Sequence, residues 1–205
     1  MSPELLKNKN HYKNVLSIMD SSEWLLFIST FIRRKNLITI IYWAYLFFGL
    51  IGVLYILFDY ELINVESRYW IIGITGGLLL SLLVSPVFHE LIHALFFKLY
   101  GANHIKFKWN WSLFRFNVQA TDFTLSKMRY YIISSITFTL FSVLPFILAF
   151  YSEGTLLFTL LSLSFFHALY ATKDLAVCSY LYKIPDSYIY NSEEDKTVFY
   201  KTLPR

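Results

Sequence analysis

The chain has 205 residues, of which 56% are hydrophobic, 20% aromatic and only 16% charged, with a formal net charge of +4. Soluble domains carry about 25% charged residues, so this composition excludes an ordinary soluble domain and points to a membrane protein. The basic excess is small and lies beside apolar runs, which makes it a topology signal and excludes a nucleic-acid-binding patch. A single cysteine, Cys178, excludes an intrachain disulfide.

Residues 1–14 are polar, with Lys7, Lys9, His11 and Lys13. No apolar run precedes a small-residue cleavage site, so no cleavable signal peptide is expected and the first spanning helix serves as the targeting signal. Residues 1–36 read as a cytoplasmic or interfacial arm. Within it, Trp24–Ile28 and Phe31-Ile32 are apolar and Arg33-Arg34-Lys35 follow. That run is too short to cross a bilayer and suits a helix lying at the headgroups.

Four apolar segments follow, at about 37–58, 69–100, 127–150 and 155–182, and residues 183–205 read as a polar cytoplasmic tail. Between the second and third, residues 104–120 change period. Ile105, Phe107, Trp109 and Trp111 alternate with Lys106, Lys108 and Asn110; Phe114, Phe116, Val118 and Ala120 alternate with Arg115, Asn117 and Gln119. Period-two alternation on both sides of a turn near Ser112 predicts a β-hairpin with one aromatic face and one cationic or amide face. The fold class expected is an all-α membrane bundle of about four transmembrane helices, 37–182, with this small amphipathic hairpin between the second and third. With the N-terminus placed inside, every Lys and Arg except Arg68 falls on an inside segment or helix end. The outside loops hold Asp59, Glu61, Glu66 and Glu153. The positive-inside rule therefore puts both termini in the cytoplasm.

The chemistry lies in the second segment, at His89-Glu90-Leu91-Ile92-His93. Two histidines four residues apart share one helix face and can bind one zinc ion, while the glutamate next to the first can serve as general base toward the water that zinc activates. Ionisable groups inside a spanning helix are costly and normally face the bundle interior for a functional reason. Gly73, Gly77, Ser81, Ser85, His89 and His93 recur every fourth residue, and Gly73 with Gly77 forms a small-xxx-small contact for a neighbouring helix. Pro86 is expected to kink the helix just before the motif.

A catalytic zinc site normally has three protein ligands. The third candidate is Asp174 in the fourth segment. His89 lies 20 residues after Tyr69 and Asp174 lies 19 after Thr155, so on straight helices their depths agree within about 2 Å. His167 competes, but it sits seven residues before Asp174, about 10 Å further out on a straight helix. It is a candidate to ligate, to contact substrate or to stabilise an oxyanion. Asn117, on the amide face of the hairpin, is a second candidate for substrate or oxyanion contact. Cys178 reads as a small buried hydrophobe, Tyr170 as an interfacial tyrosine that shares the Asp174 face, and Asp122 and His104 as solvated positions flanking the hairpin.

The run HELIHALFFKLYG, an amphipathic hairpin, a helix with a late proline and an Asp in the last span together resemble the site-2-protease class of intramembrane zinc proteases. More closely, residues 69–200 are similar to a family of small bacterial membrane proteins described as zincin peptidases. The resemblance implies that His89, His93 and Asp174 ligate Zn²⁺ and that Glu90 is the base. It also implies a bacterial plasma-membrane location. Two features depart from the site-2-protease pattern: Leu175 follows Asp174 where a glycine is usual, and no stretch is available for a PDZ-type domain. The function expected is a zinc endopeptidase acting on a membrane protein or peptide in or near the bilayer. The alternative is a non-catalytic zinc-binding membrane protein, a pseudoprotease or an assembly factor, against which the intact Glu90 argues. Its partners are thus lipid and a peptide substrate, with no nucleic acid.

Overall fold

The computed structural model describes residues 11–18, 20–62, 67–110, 115–192 and 196–203. The turn expected near Ser112, with Trp111 and Phe114, lies outside the described residues. In chain order the elements are β1 (Tyr12–Ile18), α1 (Ser21–Ile32), α2 (Leu37–Leu62), α3 (Ser67–Leu79), α4 (Ser85–Leu99), β2 (His104–Asn110), β3 (Arg115–Thr121) and β4 (Phe123–Ser126). They continue with α5 (Lys127–Phe138), α6 (Leu144–Ala149), α7 (Gly154–Tyr170), α8 (Thr172–Tyr182), β5 (Ser187–Asn191) and β6 (Thr197–Thr202). Among the described residues, three stretches are long and apolar enough to cross a membrane: Leu37–Leu54, Arg68–Leu99 and Lys127–Ala149. A fourth is reached only if α7 and α8 are counted together across their break.

That break corrects one expectation. A straight helix over 155–182 does not form, because α7 ends at Tyr170 and α8 begins at Thr172. The depth comparison that led to Asp174 therefore rested on a geometry the chain does not adopt, and so did the 10 Å offset assigned to His167. The break falls three residues before Asp174, at Ala171, and needs no glycine.

Two prolines leave the same mark. A π turn at Leu80–Val84 joins α3 to α4 just before Pro86, and another at Thr139–Val143 joins α5 to α6 just before Pro145. In each, the next N–H reaches back five residues, Ser85 to Leu80 and Leu144 to Thr139. A proline lacks an N–H and crowds the carbonyl four residues back, and an added residue per turn relieves both, so the expected irregularity at Pro86 takes the form of a π-bulge. Each bulge buries a serine, Ser81 and Ser142.

The chain divides into two compact units. One comprises Ile40–His89 and Ser135–Thr172. Its closest packing is α3 on α7, through the two glycines of the small-residue stripe. A Cβ at Gly73 would stand 2.5 Å from Phe158 Cβ, and one at Gly77 would overlap the Thr159 carbonyl and stand 2.6 Å from Ser162 Cβ. The Ser162 hydroxyl completes the contact by donating to the Ile74 carbonyl at 2.9 Å. The small-xxx-small contact is thus made within the chain. Gly77→Ala is expected to lower stability by about 1–3 kcal/mol, the usual cost of overpacking. Gly76→Ala, whose Cβ meets only Thr159 Oγ1 at 3.8 Å, should be neutral or better. Thermal unfolding of the two variants in one detergent checks this; equal losses would contradict the contact.

The other unit comprises Met1–Thr39, Glu90–Ser134 and Lys173–Arg205. Here the sequence expectation needs its largest correction. The arm and the tail are not separate appendages to an all-α fold: β1, β6, β5 and β4 form a four-stranded antiparallel sheet in that order. Ile18, Leu125, Ile189 and Phe199 point from it into an apolar core shared with Phe27 and Phe31 of α1, Phe97 of α4 and Tyr180 and Leu181 of α8. Helix α1 starts at an N-cap, where Asp20 Oδ1 accepts the Glu23 N–H at 2.8 Å and the Ser22 hydroxyl at 2.6 Å. Those two donors, the hydroxyl first, hold the Asp20 carboxyl below its usual range. One face of α1 is core, while Leu25 and Leu26 stay exposed.

The hairpin forms with the two faces expected, and Ile105 lies opposite Ala120, Phe107 opposite Val118 and Trp109 opposite Phe116 on one of them. Lys106 opposite Gln119 and Lys108 opposite Asn117 make the other. Asp122 then takes a left-handed φ of 49°, which turns the chain from β3 into β4. It is exposed, as is His104, and it accepts a hydrogen bond from the Tyr190 hydroxyl at 2.6 Å.

Candidate metal centre

Helix α4 carries the motif and ends in a Schellman cap. Gly101, at φ 94°, lets its own N–H reach Lys98 O at 3.0 Å and the Ala102 N–H reach Phe97 O at 2.9 Å. One turn apart on this helix, His89 and His93 are both buried, at 1% and 5% exposure, and Glu90 is 8% exposed.

Within the sheet-containing unit, three segments remote in sequence meet around Glu90 and His93. Asp174, in the first turn of α8, brings Oδ2 to 3.4 Å from His93 Nε2. That is longer than the 2.7–2.9 Å of a charge-assisted hydrogen bond. Two ligands each about 2.1 Å from a zinc ion, at the tetrahedral angle, stand about 3.4 Å apart. The pair is therefore spaced as an edge of a zinc coordination tetrahedron, and an imidazole with a carboxylate is a donor set zinc accepts. The other carboxylate oxygen, Asp174 Oδ1, accepts the Tyr130 hydroxyl at 2.8 Å. Glu90 Oε2 accepts the backbone N–H of Val118 at 2.9 Å.

These residues line one pocket. Glu90, His93 and Phe97 come from α4, Asn117, Val118 and Gln119 from β3, Tyr130 from α5, and Lys173, Asp174 and Val177 from α8. Trp24 of α1, Ile189 and Asn191 of β5, and Thr197 and Phe199 of β6 close it. The ammonium of Lys173 sits 4.4 Å from the Trp24 ring centre. Asn117 is thus brought to Glu90, His93 and Asp174. The hairpin offers the pocket its amide residues and the backbone of β3, whereas Phe107 and Trp109 of the aromatic face are exposed.

His89 and His167 are brought together in the other unit. His89 Nδ1 lies 3.1 Å from His167 Nε2, and His167 Nδ1 lies 2.8 Å from the Ser142 hydroxyl in the second π turn. His167 is fully buried. Tyr170, read from sequence as interfacial, turns its ring edge-on to His89, with centres 5.3 Å apart. Cys178 is buried in the apolar core of the sheet-containing unit.

Sequence reasoning missed Tyr130, the Val118 N–H, Ser142 and the whole sheet wall. A strand signal was present for the wall: Tyr188-Ile189-Tyr190 and Val198-Phe199-Tyr200 are the aromatic and β-branched residues that favour strands. Tyr130 and Ser142 carry no local signal, because each matters only through a partner supplied by another helix.

Comparison with curated proteins and with solved structures yields no match. Comparison with protein families does: residues 82–189, which hold the motif helix, the hairpin, Asp174 and the start of β5, match one family model over more than half of the chain. By that match the chain belongs to the family described as "Putative zincin peptidase".

Proposed function

We propose that this protein is an intramembrane zinc endopeptidase of the site-2-protease-like kind, with His89, His93 and Asp174 as metal ligands and Glu90 as general base. The observation that carries the reading is the 3.4 Å spacing of His93 Nε2 and Asp174 Oδ2 in the pocket that Glu90 also lines. Family membership supplies the expectation of zinc. His89 joins the pair because it precedes His93 by one turn of the same helix. With its Nδ1 engaged by His167, Nε2 is its ligand atom.

When bound, zinc supplies Lewis-acid polarisation of the scissile carbonyl and acidifies water. Glu90 takes the proton from the attacking water and delivers it to the leaving amine. The Val118 N–H holds Oε2 of that carboxylate and fixes its direction. Tyr130 does the same for Asp174. The Asn117 side chain, in the same pocket, donates to the carbonyl oxygen as charge develops on it.

The edge of β3 receives the substrate. The Val118 N–H donates to Glu90, so this edge of β3 turns toward the base rather than toward β2 at that position. An extended peptide adding along this edge is held by main-chain bonds beside Glu90. The substrate is a membrane protein or peptide unwound at the bilayer surface.

Zinc analysis of purified protein, combined with a comparison of peptide termini in membranes holding wild type or Glu90→Gln, tests the reading. Its topology is tested separately. Reporters fused after residues 64 and 153 are expected outside, and those after 112 and 200 inside, in a bacterial plasma membrane with both termini cytoplasmic. An external reporter at 112 would place the hairpin on the opposite side and overturn the orientation.

A further inference from the structure

We infer that His167 and Ser142 form a buried relay that positions His89 for the metal. His167 is thereby a positioning residue, acting through His89 and touching neither substrate nor metal. This inference rests on the zinc reading above.

The geometry is a chain of two hydrogen bonds, His89 Nδ1 to His167 Nε2 at 3.1 Å and His167 Nδ1 to Ser142 Oγ at 2.8 Å. His89, His167 and Ser142 are each at most 1% exposed. A bond between two ring nitrogens needs one donor and one acceptor, and a neutral imidazole has one of each. The chain therefore runs in one of two directions. If His167 donates to His89 Nδ1, the His89 proton sits on Nε2, and that atom cannot ligate. If His89 donates, its Nε2 carries the lone pair, His167 Nε2 accepts, and His167 Nδ1–H donates onward to Ser142. Only the second direction is compatible with a metal at His89 Nε2.

The surroundings make the relay rigid. The Phe141 ring packs 5.1 Å from that of His167, centre to centre, and the Tyr170 ring 5.3 Å from that of His89. Ser142 reaches His167 from a π turn. That turn is also the bulge that accommodates Pro145, so the proline and the relay are parts of one local structure. A second partner that holds the far nitrogen of a ligating histidine fixes its tautomer and ring orientation and raises its basicity. Loss of such a partner typically costs 10–100-fold in metal affinity.

The test is zinc affinity, measured by chelator competition on purified, folded protein, with no assay of activity. His167→Phe keeps a ring but cannot accept the His89 proton; its zinc is expected to bind about 10–100-fold more weakly. His167→Gln retains an acceptor oxygen and a donor nitrogen, and should restore affinity to within a few-fold of wild type. Ser142→Ala should weaken binding, and Ser142→Thr should not. If His167→Phe fails to fold, the serine pair reads the same relay. Nitrogen-15 spectra of zinc-loaded wild type should show His89 protonated at Nδ1. Zinc bound by wild type with equal affinity in all variants would overturn the relay and leave the zinc reading intact. A Gln variant as weak as Phe would reduce His167 to packing and overturn it as well. Wild type without zinc would overturn the zinc reading first, and the relay with it.

Discussion

Glu90→Gln is expected to leave the fold and zinc content nearly intact while lowering peptide-bond hydrolysis by about 10²–10⁴-fold, the usual cost of losing a general acid–base. The structure explains why the substitution is clean. Glu90 Oε2 accepts the Val118 N–H at 2.9 Å, and the amide oxygen of glutamine can accept the same bond. The pocket therefore keeps its shape. What is lost is the second oxygen, which becomes an NH₂ group that cannot take a proton. The loss belongs at the upper end of the range, since in the proposed mechanism the same carboxylate would also return the proton to the leaving amine. In cells, a membrane-protein precursor should accumulate uncleaved. If wild type holds zinc yet its membranes and those with Glu90→Gln show the same peptide termini under every condition tried, the protease reading gives way to a zinc protein without catalysis.

The second large effect concerns the metal. Wild type is expected to carry about one zinc per chain, and Asp174→Ala to lose most of it. Asp174 is remote in sequence from His93, and the 3.4 Å between His93 Nε2 and Asp174 Oδ2 is the spacing two ligands of one tetrahedral zinc would have. Removing the carboxylate takes away a charged ligand, and the loss should exceed the 10–100-fold typical of an outer partner. Tyr130→Phe supplies the internal scale. It keeps Asp174 and removes the hydroxyl that donates to Oδ1 at 2.8 Å, so it should fall within that 10–100-fold range. Elemental analysis and chelator competition on the three proteins rank them. Asp174→Ala with full zinc would remove Asp174 from the ligand set, and Tyr130→Phe weaker than Asp174→Ala would reverse the proposed order of ligand and support.

Much of this was legible along the chain because it depends on local period. The HExxH spacing is a property of one helix turn, so His89, Glu90 and His93 stood out before any fold was known. The two faces of the hairpin followed from alternation, whereas the pairing of Ile105 with Ala120 through Trp109 with Phe116 came from the fold, since a two-residue slip would keep the same faces. Pro86 announced an irregular helix, and Gly73 with Gly77 announced a close helix contact, which α7 supplies. Asp174 was found by a depth argument that presumed a straight helix. The helix is broken at Ala171, yet α8 still delivers Asp174 to His93.

By itself, the sequence determined the elements whose cause is local: the apolar spans, the motif helix, the two faces of the hairpin and the small-residue stripe. Composition and period-3.6 or period-2 patterns act within a few residues, and they survive whatever the rest of the chain does. Only the tertiary structure decided what each element meets. The strand β1 pairs with β6 across almost the whole chain, with Ile18 opposite Thr197, and no local pattern names a partner that far away. For the same reason the polar tail became a wall of the pocket, Val118 offered its N–H to Glu90, and His167 came to rest on His89. Hydrogen bonds between remote groups are chosen by the packing of helices and sheet, because a buried donor or acceptor must find its partner wherever the fold brings one.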